Sequence, residues 1–253
     1  MVIAERDIVV FATGQFLQRG IGLAADLGLS LVHKLPARAA FILTVDQHGV
    51  SITRKATTHQ PLRVDFSSPS MNYRRRFGGG QGQAIARAVG LKGGSKPRVL
   101  DATAGLGRDS FILASLGCSV TLLERHIIVA ALLSDGLRRG RGQEDIATVI
   151  DRMSLHVANA ENWIRDHGDA GIDVIYIDPM FPTRSKSALV KGDMQLLHDL
   201  VGVDEDVELL LSTALRSNAS RVVVKRPKRS ANVAGFTPGF VLQGKSSRFD
   251  VYI

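Results

Sequence analysis

The apolar positions of this chain fall into short runs rather than long periodic stretches. Val99-Leu100, Cys118 to Leu123, Val174 to Ile177 and Val222 to Val224 are predominantly apolar segments. Runs of this kind mark strands buried in a parallel sheet. Arg108 to Leu116 has helical spacing and predicts a helix. Strands recur near residues 98, 119, 148 or 154, 173 and 221, with helices between them. That alternation predicts a doubly wound α/β sheet. The end of the chain departs from it. Phe240 to Gln243 and Phe249 to Ile253 flank Gly244-Lys-Ser-Ser247 and read as a terminal antiparallel hairpin.

Before residue 70 the pattern is different. Ile8 to Ala12 predicts a short strand, and Gln15 to Leu29 a small helix with several glycines. Phe41 to Val45 and Val50 to Thr53, joined by Asp46-Gln-His-Gly49, read as a hairpin. Leu62 to Phe66 reads as another strand, residues 67–80 as a Ser-, Arg- and Gly-rich linker, and Gln83 to Val89 as a helix. The expected organisation is a small, β-rich α+β subdomain over residues 1–70 and a larger α/β domain over residues 71–253.

Composition narrows the class. Hydrophobic content of 45% and charged content of 22% are ordinary for a globular protein. The net charge of +8 favours an anionic partner such as nucleic acid. One cysteine, Cys118, excludes an internal disulfide framework and fits a reducing cytoplasm. The histidines are scattered, with no Cys/His pair at zinc spacing, so no metal site is expected. No apolar run is long enough to span a membrane, and Glu5 and Asp7 are out of place in a signal peptide.

The chemistry concentrates at strand ends. Arg98-Val-Leu-Asp-Ala-Thr-Ala-Gly-Leu-Gly-Arg-Asp109 is a strand, a glycine loop and a helix start. Gly105 and Gly107 shape a nucleotide-type loop. Asp101 at the strand tip would repel phosphates, and Ser110 stands where a dinucleotide fingerprint has its third glycine. S-adenosylmethionine fits better, because it carries an amino group and a sulfonium and no phosphate. Asp101 and Asp109 would then lie near a cationic ligand. Glu124 ends the next strand, about 20 residues past the loop, where an acid accepts ribose hydroxyls. A solvated strand-end carboxylate is the bland alternative.

Asp178-Pro-Met-Phe-Pro182 follows the strand Asp173 to Ile177. Its prolines remove backbone donors and leave the Asp178 carboxylate and nearby carbonyls as acceptors. Such a turn suits an exocyclic amine, with Phe181 offering a stacking face for a base. It resembles the Asp/Asn-Pro-Pro-aromatic motif of amino-group methyltransferases acting on nucleobases. Met180 replaces the usual second proline, and a plain Pro-rich loop is the alternative.

Together these segments carry a closer resemblance. Val64-Asp-Phe66, Arg74-Arg-Arg-Phe-Gly-Gly-Gly80, Asp101 to Asp109, Leu122-Leu-Glu-Arg125, Val129 to Leu133, Asp178 to Pro182, Lys186 to Lys191, Val222 to Pro227 and Arg248-Phe-Asp250 are its motifs. On these the chain resembles the RsmJ family of 16S rRNA guanine-N2 methyltransferases. The resemblance covers roughly residues 60 to 253. It implies a class I methyltransferase fold, a seven-stranded Rossmann-like sheet with a C-terminal antiparallel hairpin. It also implies S-adenosylmethionine as cofactor, S-adenosylhomocysteine as product, and 16S rRNA or the small ribosomal subunit as partner. The implied cofactor contacts are Arg108 and Asp109, Glu124 and Arg125, and Asp178. A further pair falls on Asn159 and Ala160, with Glu161 as the alternative register. Asp178, Pro179 and Phe181 are the implied catalytic set.

Three basic segments complete the picture: Arg74, Arg75 and Arg76; Lys186 and Lys191; and Lys225 with Arg226. They are candidates for RNA phosphate contacts, against the alternative of a solvated charged face. Tyr73 and Phe77 interleave with the arginines and read either as base-stacking groups or as linker anchors. Two rival functions stay open. One is an amino-methyltransferase acting on adenine N6 or a small amine. The other is a catalytically silent RNA-binding or ribosome assembly factor.

Overall fold

The computed structural model describes residues 8–35, 39–55, 60–167, 171–180, 192–202, 206–245 and 247–253. In chain order its elements begin with β1 (Ile8–Ala12), α1 (Leu17–Leu27), β2 (Ser30–Val32), β3 (Phe41–Asp46) and β4 (Gly49–Arg54). Next come α2 (Pro69–Phe77), α3 (Ala84–Ala88), β5 (Arg98–Asp101), α4 (Arg108–Ser115), β6 (Ser119–Glu124) and α5 (Ile127–Arg141). They continue with α6 (Ala147–Ile150), β7 (Met153–Val157), α7 (Ala160–Asp166), β8 (Val174–Ile177) and α8 (Gly192–Val201). The last are α9 (Val207–Leu215), β9 (Arg221–Pro227), β10 (Phe240–Gln243) and β11 (Ser247–Tyr252).

The chain divides into two compact units. The first comprises Met1–Val64, Ile127–Arg139 and Met180–Val203. Its sheet runs β2-β1-β3-β4. β1 is parallel to β2 and β3, and β3 and β4 form the expected hairpin, with Asp46 opposite Gly49. Val10, Leu43 and Ile52 are fully buried at its centre. Helix α1 lies close against β1, where a Cβ on Gly20 would sit 2.4 Å from the Ala12 Cβ. Within this unit the buried Asp135 accepts from Val50 N at 2.9 Å and pairs with Arg19, Arg138 and Arg139.

The second unit comprises Asp65–His126, Gly140–Pro179 and Asp204–Ile253. Its seven strands run β10-β11-β9-β8-β5-β6-β7. β5 to β9 are mutually parallel, and β11 is antiparallel to β9 and to β10. The chain starts at β5, moves outward to β6 and β7, then returns to β8 and moves the other way. The reversal point, between β5 and β8, is where ligands bind in such sheets. The core is formed by Val99, Leu100, Leu122, Leu123, Tyr176, Ile177, Val223 and Val224 with Phe111, Ile112 and Leu113 of α4.

Three expectations need correction. Leu62 to Phe66 is not a strand; Leu62 makes only an isolated bridge to Ile52. Further along, the Val64 carbonyl accepts from the Arg139 guanidinium, and Asp65 folds the chain by accepting from Ser67 N and Oγ. Residues 67–80 are not simply a linker, because α2 occupies their middle. Its start signals are local: Ser68 Oγ accepts from Met71 N, Pro69 stands in the first turn, and Met71 is buried. The helix over Gln15 to Leu29 begins at Leu17, after a 3-10 turn at Gly14–Phe16. Strand β2 was not expected at all. Of the two positions for the fourth large-domain strand, the chain uses Met153–Val157, and Ala147–Ile150 is helical.

Candidate active site

The parallel strands of the second unit bring their carboxyl ends together. Register explains which residues meet. Asp101 is level with Tyr176 and Leu122, and Ile177 is level with Val224. Asp178 and Lys225 therefore follow at the same height on neighbouring strands.

The glycine loop rises from β5. Gly105 and Gly107 have φ of 53° and 68°, a left-handed backbone that side chains disfavour. Ala102 N donates to Tyr176 O and Ala104 N to Leu123 O, each at 2.9 Å, fastening the loop to both neighbouring strands. Asp101 is 2% exposed. It accepts from Thr103 N at 3.2 Å and from the Ser110 hydroxyl. Burial pushes its carboxyl up to about 7, against the pull of those donors. Asp101 is thus the acid around which the loop folds. Ser110, the residue that breaks the dinucleotide fingerprint, is its buried partner.

Glu124 stands at the end of β6. Its Oε2 accepts from Gly105 N at 3.0 Å and its Oε1 from His126 N at 2.7 Å. The acid and the glycine loop are one construction. Next to it, Ala158 N donates to Glu124 O at 3.1 Å. Asn159 caps α7, its Oδ1 accepting from Asn162 N at 3.1 Å, and Ala160 is the buried first residue of that helix. Arg108 opens α4, and Arg125 pairs with Asp206.

The turn after β8 is fastened to the same loop. Asp178 N donates to Thr103 Oγ1 at 2.7 Å, and Pro179 is buried. Lys225 Nζ lies 2.7 Å from Asp178 Oδ2 and 2.8 Å from Asp109 Oδ2. Arg74 reaches Asp109 Oδ1 at 2.6 Å, and the Tyr176 hydroxyl donates to Asp109 Oδ2 at 2.7 Å. Burial alone would raise the Asp109 carboxyl, but Lys225 and Arg74 outweigh it and hold the group below the usual carboxylate range. Asp178 goes the other way, to about 6: desolvation and the Asp109 charge together exceed the help from Lys225. Burial would lower the Lys225 ammonium, yet the two carboxylates raise it, so it stays charged. The Tyr176 hydroxyl is pushed up by burial and the neighbouring acids and serves as a donor.

The remaining expected residues divide clearly. Arg75 bonds Asp145 O and Oδ2 at 2.9 and 3.1 Å, Arg76 is exposed, and Arg226 Nε contacts Ser230 Oγ at 3.2 Å. Phe181, Lys186 and Lys191 lie outside the described residues. Thr103, Ser110 and Tyr176 are the site residues that sequence reasoning passed over. The signal for Tyr176 was available: a hydroxyl in the middle of an apolar strand needs a buried partner.

A family model described as putative SAM-dependent methyltransferase matches residues 24–253. The chain belongs to this family. Ribosomal RNA small subunit methyltransferase J of Pseudomonas aeruginosa (strain LESB58) is 48% identical over 234 residues, covering 92% of this chain and 86% of that protein. Its namesake in Marinobacter nauticus (strain ATCC 700491 / DSM 11845 / VT8) is 44% identical over 255 residues, covering 98% and 92%. A crystal structure of a SAM-dependent methyltransferase from Neisseria gonorrhoeae aligns with a TM-score of 0.77 at 37% identity, covering 96% of this chain and 95% of that one. The seven-stranded sheet with its terminal antiparallel hairpin is the class I methyltransferase architecture that the sequence motifs implied.

S-adenosylmethionine is the cofactor of this SAM-dependent methyltransferase, and the residues present suit it. Carboxylates end β5 and β6 and follow β8, at the loop where a phosphate ligand would need donors. The left-handed Gly105 and Gly107 leave the loop surface without side chains. Among the described residues, no group of three His, Cys, Asp or Glu could hold a metal ion. Nor is any described helix long and apolar enough to cross a membrane.

Proposed function

We propose that this chain methylates the exocyclic N2 of a guanosine in 16S small-subunit rRNA, in the cytoplasm. The observation that carries the reading is the Asp178-Pro179 turn, fastened to the glycine loop through Thr103 and held by Lys225. The names of the relatives, small-subunit rRNA methyltransferases, supply the substrate class.

When bound, S-adenosylmethionine supplies an electrophilic methyl group on a sulfonium. Asp101, Gly105, Gly107, Arg108, Asp109, Glu124, Arg125, Asn159, Ala160 and Asp178 are the residues proposed to hold it. Glu124 accepts from the ribose hydroxyls. The acceptor amine is held by Asp178, whose carboxylate takes an N–H while Lys225 fixes Oδ2. Pro179 has no N–H to compete for that acceptor. Phe181 stacks on the guanine ring. The gain comes chiefly from proximity and orientation of the reacting nitrogen. The proton that N2 sheds needs no strong base, because a methylated arylaminium is a strong acid. Arg74, Arg75, Arg76, Lys186, Lys191, Lys225 and Arg226 are the residues proposed to contact RNA phosphates, and of these Arg74 and Lys225 also pair with the site acids.

The test is transfer from labelled S-adenosylmethionine to unmodified small-subunit rRNA and subunits, followed by nucleoside mass spectrometry. N2-methylguanosine is the expected product. N6-methyladenosine would replace the substrate reading. Cofactor binding without any transfer would favour a catalytically silent RNA-binding factor.

A further inference from the structure

Helix α2 presents two aromatic rings to solvent. Tyr73 is 66% and Phe77 70% exposed. Their ring centroids are 5.5 Å apart, with the planes tilted by 41°. The spacing of four residues puts them on one helix face, and Arg76, also exposed, lies three residues from Tyr73 on the same face.

The rest of α2 is pinned. Met71 is buried, Arg75 bonds Asp145, and Arg74 bonds Asp109. Just before the helix, Phe66 stacks on Phe111 of α4 at 4.9 Å. The exposed face is therefore held in place from behind. Its link to the reacting centre is short: Arg74 to Asp109, Asp109 to Lys225, Lys225 to Asp178, each contact under 3 Å.

We infer that Tyr73 and Phe77 form a stacking platform for unpaired bases that flank the methylated guanosine. The inference rests on the function proposed above. Single-stranded nucleic acid alternates flat apolar rings with phosphates, and this face alternates rings with a guanidinium. Base–aromatic stacking accepts any base, so the platform adds grip without reading sequence. An enzyme that acts on an exocyclic amine takes its base out of the stack. That step uncovers the faces of the neighbouring bases, and the platform covers them again. Proteins that bind single-stranded RNA stack such splayed bases on aromatic side chains. A purely apolar protein partner would leave Arg76 in its midst unmatched, whereas RNA supplies its counter-charge.

The experiment compares the wild-type protein with three double variants on whichever form of rRNA, free or in the subunit, the wild type methylates. Tyr73→Ala with Phe77→Ala should raise KM for RNA roughly tenfold or more. Affinity for S-adenosylmethionine and the melting temperature should not move, since both rings are exposed. Tyr73→Leu with Phe77→Leu keeps apolar surface but no ring faces, and should stay close to the alanine pair. Tyr73→Phe with Phe77→Tyr should restore wild-type KM. An alanine pair with unchanged KM would overturn the platform. So would a leucine pair matching the wild type, which would show a plain apolar contact. A wild-type protein that methylates no RNA would overturn the proposed function first, and this inference with it.

Discussion

Asp109 and Asp178 share one ammonium, and they share it unequally. Asp109 also receives Arg74 and the Tyr176 hydroxyl, so its charge is well compensated. Asp178 is left with a carboxyl that titrates near 6. If Asp178 accepts an N–H from the substrate amine, it must be ionised to work. Transfer activity should then fall as pH drops through about 6. Lys225→Met keeps the stem and removes the charge, which raises the Asp178 carboxyl further. The acid limb of kcat/KM against pH should move to higher pH in that variant, and an unmoved limb would free Lys225 of this role. Asp101 offers a second prediction. Its folded carboxyl titrates near 7, well above its ordinary value. The folded state then binds the proton more tightly than the unfolded chain does. Stability is lost as pH rises through that window, and the loss is complete above about 7. Asp101→Asn is neutral and similar in shape, so its free energy of unfolding at pH 8, from urea titration, should exceed that of wild type by on the order of 2 kcal/mol. The advantage should shrink at pH 5, and cofactor affinity should fall in the same protein.

At the scale of elements, two joints matter. One is the register of β8 with β9, which places Lys225 at the height of Asp178. A shift of one residue would turn Lys225 to the opposite face of the sheet. The other is α2, a nine-residue helix that carries Arg74 to Asp109. A helix this short has little stability of its own and depends on its cap and its anchors. Ser68→Ala removes the side-chain acceptor for Met71 N. It should cost about 1 kcal/mol, read as a lower urea midpoint at unchanged slope. No loss would mean that Met71 burial and the Arg74 and Arg75 ion pairs hold the helix without the cap.

Over the whole molecule, charge is divided by place. The net charge is +8, yet acids gather at the strand ends of the second unit. An acidic centre within a basic protein suits a cationic cofactor beside an anionic partner. Binding to rRNA should therefore weaken with salt. Arg76→Ala should reduce the slope of log affinity against log salt by about 0.7 to 1, the share of one phosphate contact. Fluorescence anisotropy across a potassium chloride series measures it, and an unchanged slope would take Arg76 off the phosphate backbone.

The sequence by itself determined the doubly wound sheet, the glycine loop, the terminal hairpin and the β3–β4 turn. These depend on apolar runs and on Gly and Pro punctuation, which act within a few residues. It also pointed to Asp101, Glu124 and Asp178, because an acid at a strand end is visible as soon as the strand is. Helix α2 was equally local, and its capping serine and first-turn proline were masked by a linker-like composition. Only the tertiary structure decided who neutralises whom. Asp109 draws its partners from 35, 67 and 116 residues away. Lys225, which the sequence offered only as a candidate for RNA phosphate contact, also meets Asp178 from 47 residues away because two strands pair in one register. Local preference decides what an element is, while the pairing of distant strands decides which charges it must face.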